Sequence, residues 1–369
     1  MKTTYWPVLL LMHVFFSISF FLNAQTLKPG FDKEEYIGTM SMMQRYADSA
    51  FPGYAKEPAG YTFVYFSPEM GLKNKWALWK RKSDGAAVIN IRGTISDGIS
   101  WLSNFYCGMV PAKGSIKIKS GETFEYNLSD YNHAYVHIGW LVSFAYLSKD
   151  MRPKIDSLIA SGTRSLIISG HSQGGALTYF VTAWLRQLQK KGEIPGDFQI
   201  KTYSSAAPKP GNIYFAYDYE SKTQNGWAYN VINSADWVPE TPFSLQTIED
   251  LNDSPLGDIS PMVKGQKFPK NLVIKSIYKK MKRQPEKAVK TYRKYLGNFA
   301  GKMVKKYLPE YEQPGLEYNM YYARAGNYIT LLANEVYYKQ FPKESNNKFM
   351  HHSELAYLYL LNMQYPDGI

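Results

Sequence analysis

The chain has 369 residues, of which 45% are hydrophobic and 16% aromatic, with 31 Tyr; this is enough apolar surface for a large core and excludes a disordered chain. Forty-three Lys plus Arg against 31 Asp plus Glu give a net charge of +12, but residues 264–306 alone hold thirteen Lys and two Arg against one acid, Glu286, so the rest of the chain sums to −2. One basic segment on a near-neutral body argues against a general polyanion binder, and no nucleic-acid partner is expected.

Residues 1–24 read as a secretory signal peptide: Lys2 is its only charge, an apolar run covers 8–22, and Leu22-Asn23-Ala24 precedes a cut before Gln25. The run is broken by His13, Ser17 and Ser19 and is shorter than the roughly 20 apolar residues of a membrane span, so a secreted or periplasmic protein is expected. Residues 25–369 are then one domain. Cys107 is the single cysteine; it can form no internal disulfide, and burial as a small hydrophobe is expected.

Asp32 with Glu35 forms a capping box ahead of Tyr36, Ile37, Met40 and Met43, which predicts a helix over about 33–48. Strand-like runs follow at 61–66, 76–79 and 86–91, the last two joined by the turn Ser83-Asp84-Gly85. Residues 132–160 read mainly as helix, 165–169 as a short buried strand and 173–191 as a second long helix ending at Lys190-Lys191-Gly192. Two more strands, 200–204 and 229–232, each run into a loop rich in Pro, Gly, Asp and Ser, and a last helix spans about 352–363. Alternating strands and helices predict an α/β fold with a mostly parallel central sheet and helices on both faces.

The apolar strand Leu166-Ile167-Ile168-Ser169 runs into Gly170-His171-Ser172-Gln173-Gly174-Gly175 and then a helix. The GxSxG pattern alone is weak, but a Ser on a sharp strand-to-helix turn is what an exposed serine nucleophile requires. Gly170 and Gly174 flank Ser172 because a Cβ there would crowd the turn. No Lys-Ser or Lys-Thr pair follows the glycines, so a phosphate-binding loop is disfavoured.

A serine at neutral pH needs a base, itself oriented by a carboxylate. Of six His, His13 leaves with the leader, His171 adjoins Ser172 and should point away from it, and His133 and His137 precede it. In this fold class the order is Ser, acid, His, which leaves His351 and His352. Asp236, in a loop after the 229–232 strand, fits the acid, with Asp218 and Glu240 as weaker alternatives.

Several blocks together resemble the class 3 lipase family, the fungal-type triacylglycerol lipases of the α/β-hydrolase fold. They are Ile91-Arg92-Gly93-Thr94 followed by Trp101, then His137-Ile138-Gly139-Trp140, then the GHSQGG of 170–175. YSSAAPKPGN at 203–212, the Val231 to Pro239 block and His352 with Tyr357 complete the set, spread over about 60–242 and 320–363. The resemblance implies Ser172 as nucleophile, Asp236 as orienting acid, His352 as base and an oxyanion hole from Thr94 and the N–H of Gln173. It implies a carboxylic-ester hydrolase acting on acyl esters or lipid without a cofactor or metal. It also places residues 96–107 where the family carries a lid helix; a plain packed helix is the competing reading. His137 is expected to be a structural, hydrogen-bonded histidine. Ala207, where the family has Gly or Ser, is a mild departure.

The larger departure is the basic helical insertion at about 245–318. Gln284-Pro285-Glu286 predicts a helix start, preceded by a shorter helix through Ile274, Ile277 and Met281. Val289, Tyr292, Leu296, Phe299, Met303 and Tyr307 fall on one narrow helical stripe, the pattern of a buried face. The lysines opposite are either a solvated surface or a peripheral contact with anionic membrane through helices 264–306. A catalytically silent membrane- or polysaccharide-binding protein on a hydrolase fold is the alternative to an enzyme; the two differ in whether a fluorophosphonate labels Ser172.

Overall fold

The computed structural model describes residues 27–46, 58–252, 254 and 256–368; the expected signal peptide lies outside the described residues. A seven-stranded sheet runs in the order β1 (Tyr61–Phe66), β2 (Trp76–Arg81), β3 (Ala87–Ile91), β8 (Ser165–His171), β9 (Gln199–Ser205), β11 (Ala228–Asn233), β13 (Asn327–Leu331). β1, β2 and β3 pair antiparallel, and every pair from β3 to β13 is parallel. Both faces are covered, as a parallel sheet requires. Successive residues of a strand point to opposite faces, so Leu166 and Ile168 pack into one core and Ile167 into the other.

The first core is closed by α3 (Ile138–Ala160), α4 (Gln173–Lys190) and α5 (Ile213–Thr223), through Trp140, Phe144, Leu177, Phe180 and Phe215. The second is closed by α1 (Lys33–Ser41) and α10 (Glu354–Gln364), through Tyr36, Met40, Tyr357, Leu360 and Leu361. Asp32 caps α1 as expected, accepting from the Glu35 N–H at 2.9 Å. Glu35 does not return to the cap. It is drawn onto the face of the sheet instead, where Arg81 and the almost fully buried Lys201 pair with it at 2.5 and 2.8 Å and Tyr203 donates to it. Two cations and a hydroxyl outbid one backbone N–H for a buried carboxylate.

Residues 132–137 are not helix. β7 (Tyr135–His137) pairs with β4 (Met109–Pro111) and β10 (Gly211–Asn212), and β12 (Tyr322–Ala323) completes this four-stranded sheet beside the hairpin β5 (Lys113–Lys119) and β6 (Glu122–Asn127). Backbone pairing with segments far along the chain overrode the helical pattern there.

Within the basic insertion a short helix, α6 (Ser260–Lys264), is followed by a long helical run. It is one continuous rod rather than two helices: α7 (Lys270–Tyr292) passes through Pro285, continues into a π-helical segment Arg293–Phe299, and ends as α8 (Ala300–Tyr307). The expected stripe is only partly buried. Val289, Tyr292 and Leu296 pack on Met109, Met320 and Tyr322, but Phe299, Met303 and Tyr307 are exposed, and Gly301 and Val304 face the body instead. The wider π turn delays each following side chain around the axis, so the register of the stripe is lost after Leu296. A short helix α9 (Glu335–Gln340) precedes the final loop and α10.

Candidate active site

β8 delivers Ser172 to the end of the sheet and α4 starts at the next residue. Ser172 adopts φ 60°, ψ −128°, a strained conformation for a residue with a Cβ. Its N–H is held by the Ser205 carbonyl at 3.0 Å, and its own carbonyl accepts from Ala176. A Cβ on Gly174 would sit 2.1 Å from the Ile91 carbonyl oxygen, and one on Gly170 would sit 2.4 Å from the Gly174 carbonyl carbon. The turn therefore exists only with glycine on both sides of Ser172.

Asp236 and His352, 116 residues apart, meet at this end of the sheet: His352 Nδ1 lies 2.7 Å from Asp236 Oδ2. The carboxylate is buried and fully engaged, taking the Val238 N–H on Oδ1 and the Tyr357 hydroxyl on Oδ2. His352 lies just before Ser353, the N-cap of α10, and part of its ring edge is open to solvent. Among the described residues, Ser172 and His352 share no direct hydrogen bond. Their link is His171, whose Nε2 donates to the His352 carbonyl at 2.7 Å. Because that partner can only accept, Nδ1 of His171 is the acceptor and Ser205 Oγ donates to it at 3.0 Å, with the Tyr36 hydroxyl 2.7 Å behind. Burial holds His171 down at about 3, so this chain stays neutral. Asp218 is paired with Lys222 on α5 and takes no part; Glu240 is exposed; His351 Nδ1 is occupied by the Tyr337 hydroxyl at 2.8 Å.

Thr94 follows β3, and α2 (Gly98–Phe105) packs over it. Asn104 joins the two halves of the expected oxyanion hole: its Nδ2 donates to Thr94 Oγ1 at 2.9 Å, and its Oδ1 accepts from Gln173 Nε2 at 2.8 Å and Trp140 Nε1 at 3.2 Å. The indole can only donate, which fixes the Asn104 amide the right way round. Thr94 Oγ1 is then the acceptor, and the hydrogen of its hydroxyl is left for another partner. The Gln173 N–H is the first of α4, pointing outward at the positive end of the helix dipole. The sequence motifs missed Asn104, because an Asn on a mixed helix carries no pattern.

α2 is bound to the body. Ser100 and Ser103 are fully buried, Gln173 donates to the Ser100 carbonyl at 3.0 Å, and Ser103 Oγ meets Ser143 Oγ at 2.8 Å. These bonds favour a packed helix over a moving lid for 96–107. His137 is structural as expected: fully buried, stacked on Trp140 at 3.7 Å, accepting the Trp140 N–H and bonded to the Asn104 carbonyl, and kept neutral by burial, which lowers it to about 3. Cys107 is buried too, its thiol pushed up to about 12. Above His352, Phe349 bridges Trp101 of α2 and Trp237 at centroid distances of 5.8 and 5.5 Å. No group of His, Cys, Asp and Glu among the described residues could hold a metal.

The sequence profile described as "Lipase (class 3)" matches residues 88–246, from β3 past Asp236. A secreted mono- and diacylglycerol lipase from Fusarium solani is 27% identical over 161 residues, covering 42% of this chain and 39% of that protein, so the chain spans about two fifths of that relative's length. Lipase II from Rhizopus niveus covers 57% of this chain and 75% of its own, at 20% identity and TM-score 0.41. The Rhizomucor miehei lipase propeptide complex covers 58% and 66%, at 18% identity and TM-score 0.42. Over residues 88–246, which carry Ser172 and Asp236, the chain is similar to the class 3 lipase family.

Proposed function

We propose that the protein is a serine carboxylic-ester hydrolase of the lipase and esterase class, cleaving acyl esters of lipids with Ser172, Asp236 and His352. The observation that carries this reading is the Asp236–His352 pair beside a serine on a strained, glycine-flanked turn. Asp236 accepts a hydrogen bond from the Nδ1–H of His352, which holds the proton on Nδ1 and leaves Nε2 as the base. Ser172 Oγ attacks the ester carbonyl carbon and gives its proton to Nε2. The carbonyl π pair moves onto oxygen, and the resulting oxyanion accepts hydrogen bonds from the Gln173 N–H and the Thr94 hydroxyl. Collapse expels the alcohol, which takes the proton from His352. Water then repeats the sequence on the acyl-enzyme and releases the acid. No cofactor enters this chemistry.

The apolar run at 8–22 supports a secreted or periplasmic location, and the surplus of lysine in 264–306 supports contact with an anionic membrane as the place where the ester is met. Purified Ser172→Ala is expected to stay folded by circular dichroism and lose all measurable hydrolysis of p-nitrophenyl butyrate and all fluorophosphonate labelling. Wild-type turnover in that variant would refute the assignment.

A further inference from the structure

α7 is exposed along nearly its whole length before Val289, which is unusual for a 23-residue helix. Val273, Ile277 and Met281 form an i, i+4, i+8 row and are 53%, 52% and 65% exposed. Lys275, Lys279, Arg283 and Lys287 form the opposite row, and among the described residues none of them has an acidic partner within salt-bridge distance. Lys282 is the exception, held by Glu249. An apolar stripe left open opposite uncompensated cationic charge suits one solvent better than water: the boundary layer of a bilayer with anionic headgroups, where apolar side chains sink and long lysine stems reach back to phosphate. No described helix is long and apolar enough to cross a membrane, so the contact is peripheral.

A second open apolar surface lies at the other end of the rod, near the active site. Met303 and Tyr307 of α8 face Ile99 and Leu102 of α2 across a cleft of about 700 Å³. Trp101 of α2 stacks on Phe105 at 5.9 Å and meets Phe349, which touches Trp237 and the His352 ring. We propose that α7 is a docking arm that seats Val273, Ile277 and Met281 in the interfacial layer of an anionic lipid bilayer and presents the Trp101–Phe349–Trp237 rim beside His352 to the lipid. The second half of this statement rests on the hydrolase reading; the docking does not.

The test uses the full chain, vesicles of phosphatidylcholine alone or mixed with phosphatidylglycerol, and two double variants on the exposed arm, Ile277→Glu with Met281→Glu and Lys275→Glu with Lys279→Glu. The wild type should sediment with the anionic vesicles only, and less so as salt rises. Each pair should lower that affinity by roughly thirty-fold or more. Both variants should hydrolyse p-nitrophenyl butyrate within about twofold of wild type while losing activity on an ester embedded in the anionic vesicles. Equal wild-type binding to neutral vesicles, unchanged binding by both variants, or a lipid-free dimer that the Ile277/Met281 pair abolishes would overturn docking. Tighter retention on DNA than on vesicles would overturn it as well. Vesicle binding by a wild type that hydrolyses no ester would sink the hydrolase reading and leave the arm standing.

Discussion

Asn104 illustrates how one side chain can set the chemistry of two others. By donating to Thr94 Oγ1 it leaves the threonine hydrogen free, and by accepting from Gln173 Nε2 it steadies that residue; in the proposed mechanism the freed hydroxyl and the Gln173 N–H are the two donors to the substrate oxygen. Asn104→Ala should lower kcat about 10²-fold, with KM changed much less, because the lost preorganisation matters only where negative charge develops. Asn104→Asp cannot donate to Thr94, so it should not rescue. A second residue-scale prediction concerns Glu354 in the first turn of α10. Burial raises its carboxyl from 4.5 to about 7, against one bond from Gln44. The folded state holds this proton more tightly than the unfolded chain, so the contribution to stability is complete below pH 4.5 and is lost as pH rises through 7. Glu354→Gln should flatten this part of the denaturation-midpoint profile and raise stability at pH 8 by about 2 kcal/mol.

Between residues and domain, the Ser172 turn, an elbow between β8 and α4, and the arm show opposite uses of local strain. At the elbow the sheet imposes the turn: Gly174→Ala would drive a Cβ into the Ile91 carbonyl, with no flexible group to yield. It should cost about 4 kcal/mol or more, read as a fall in the urea midpoint, or prevent folding. In the arm, helix continuity survives Pro285 although proline removes the N–H that would bond to Met281. Met281 is exposed, so water can take the carbonyl that Pro285 leaves without a partner. Pro285→Ala should therefore slow amide exchange in residues 278–284 without altering ester hydrolysis. Two separate helices would show no such protection.

At the scale of the molecule, the boundary between body and insertion falls inside the basic segment, not at its ends. Val289, Ala300 and Val304 are buried in cores shared with Met109, Tyr106 and Tyr311, whereas 264–288 touch little besides Glu249, the 256–257 turn and the Tyr318 hydroxyl. Replacing 264–288 by a short Gly-Ser loop should spare hydrolysis of a soluble ester within about threefold, while extending the cut to 306 should destroy folding, as thermal denaturation of the two proteins would report.

Much of this was legible in the chain. Six of the seven strands of the central sheet were legible: the expected runs 61–66, 76–79, 86–91, 165–169, 200–204 and 229–232 all fall on observed strands, while the edge strand β13 (Asn327–Leu331), mostly exposed, has too weak an apolar pattern to stand out. Ser172 was legible because its turn needs glycines at fixed offsets, and the order of acid and histidine narrowed the partners. What the tertiary structure alone decided has a common cause: contact between segments distant in sequence. The short strands at 109–111, 135–137, 211–212 and 322–323 exist only as partners of one another. Asn104 became part of the site because α2 folds back over Thr94 and Gln173. The face that the basic rod turns to the body depended on a π segment, and a change of helical pitch leaves no mark in a pattern read at a constant turn.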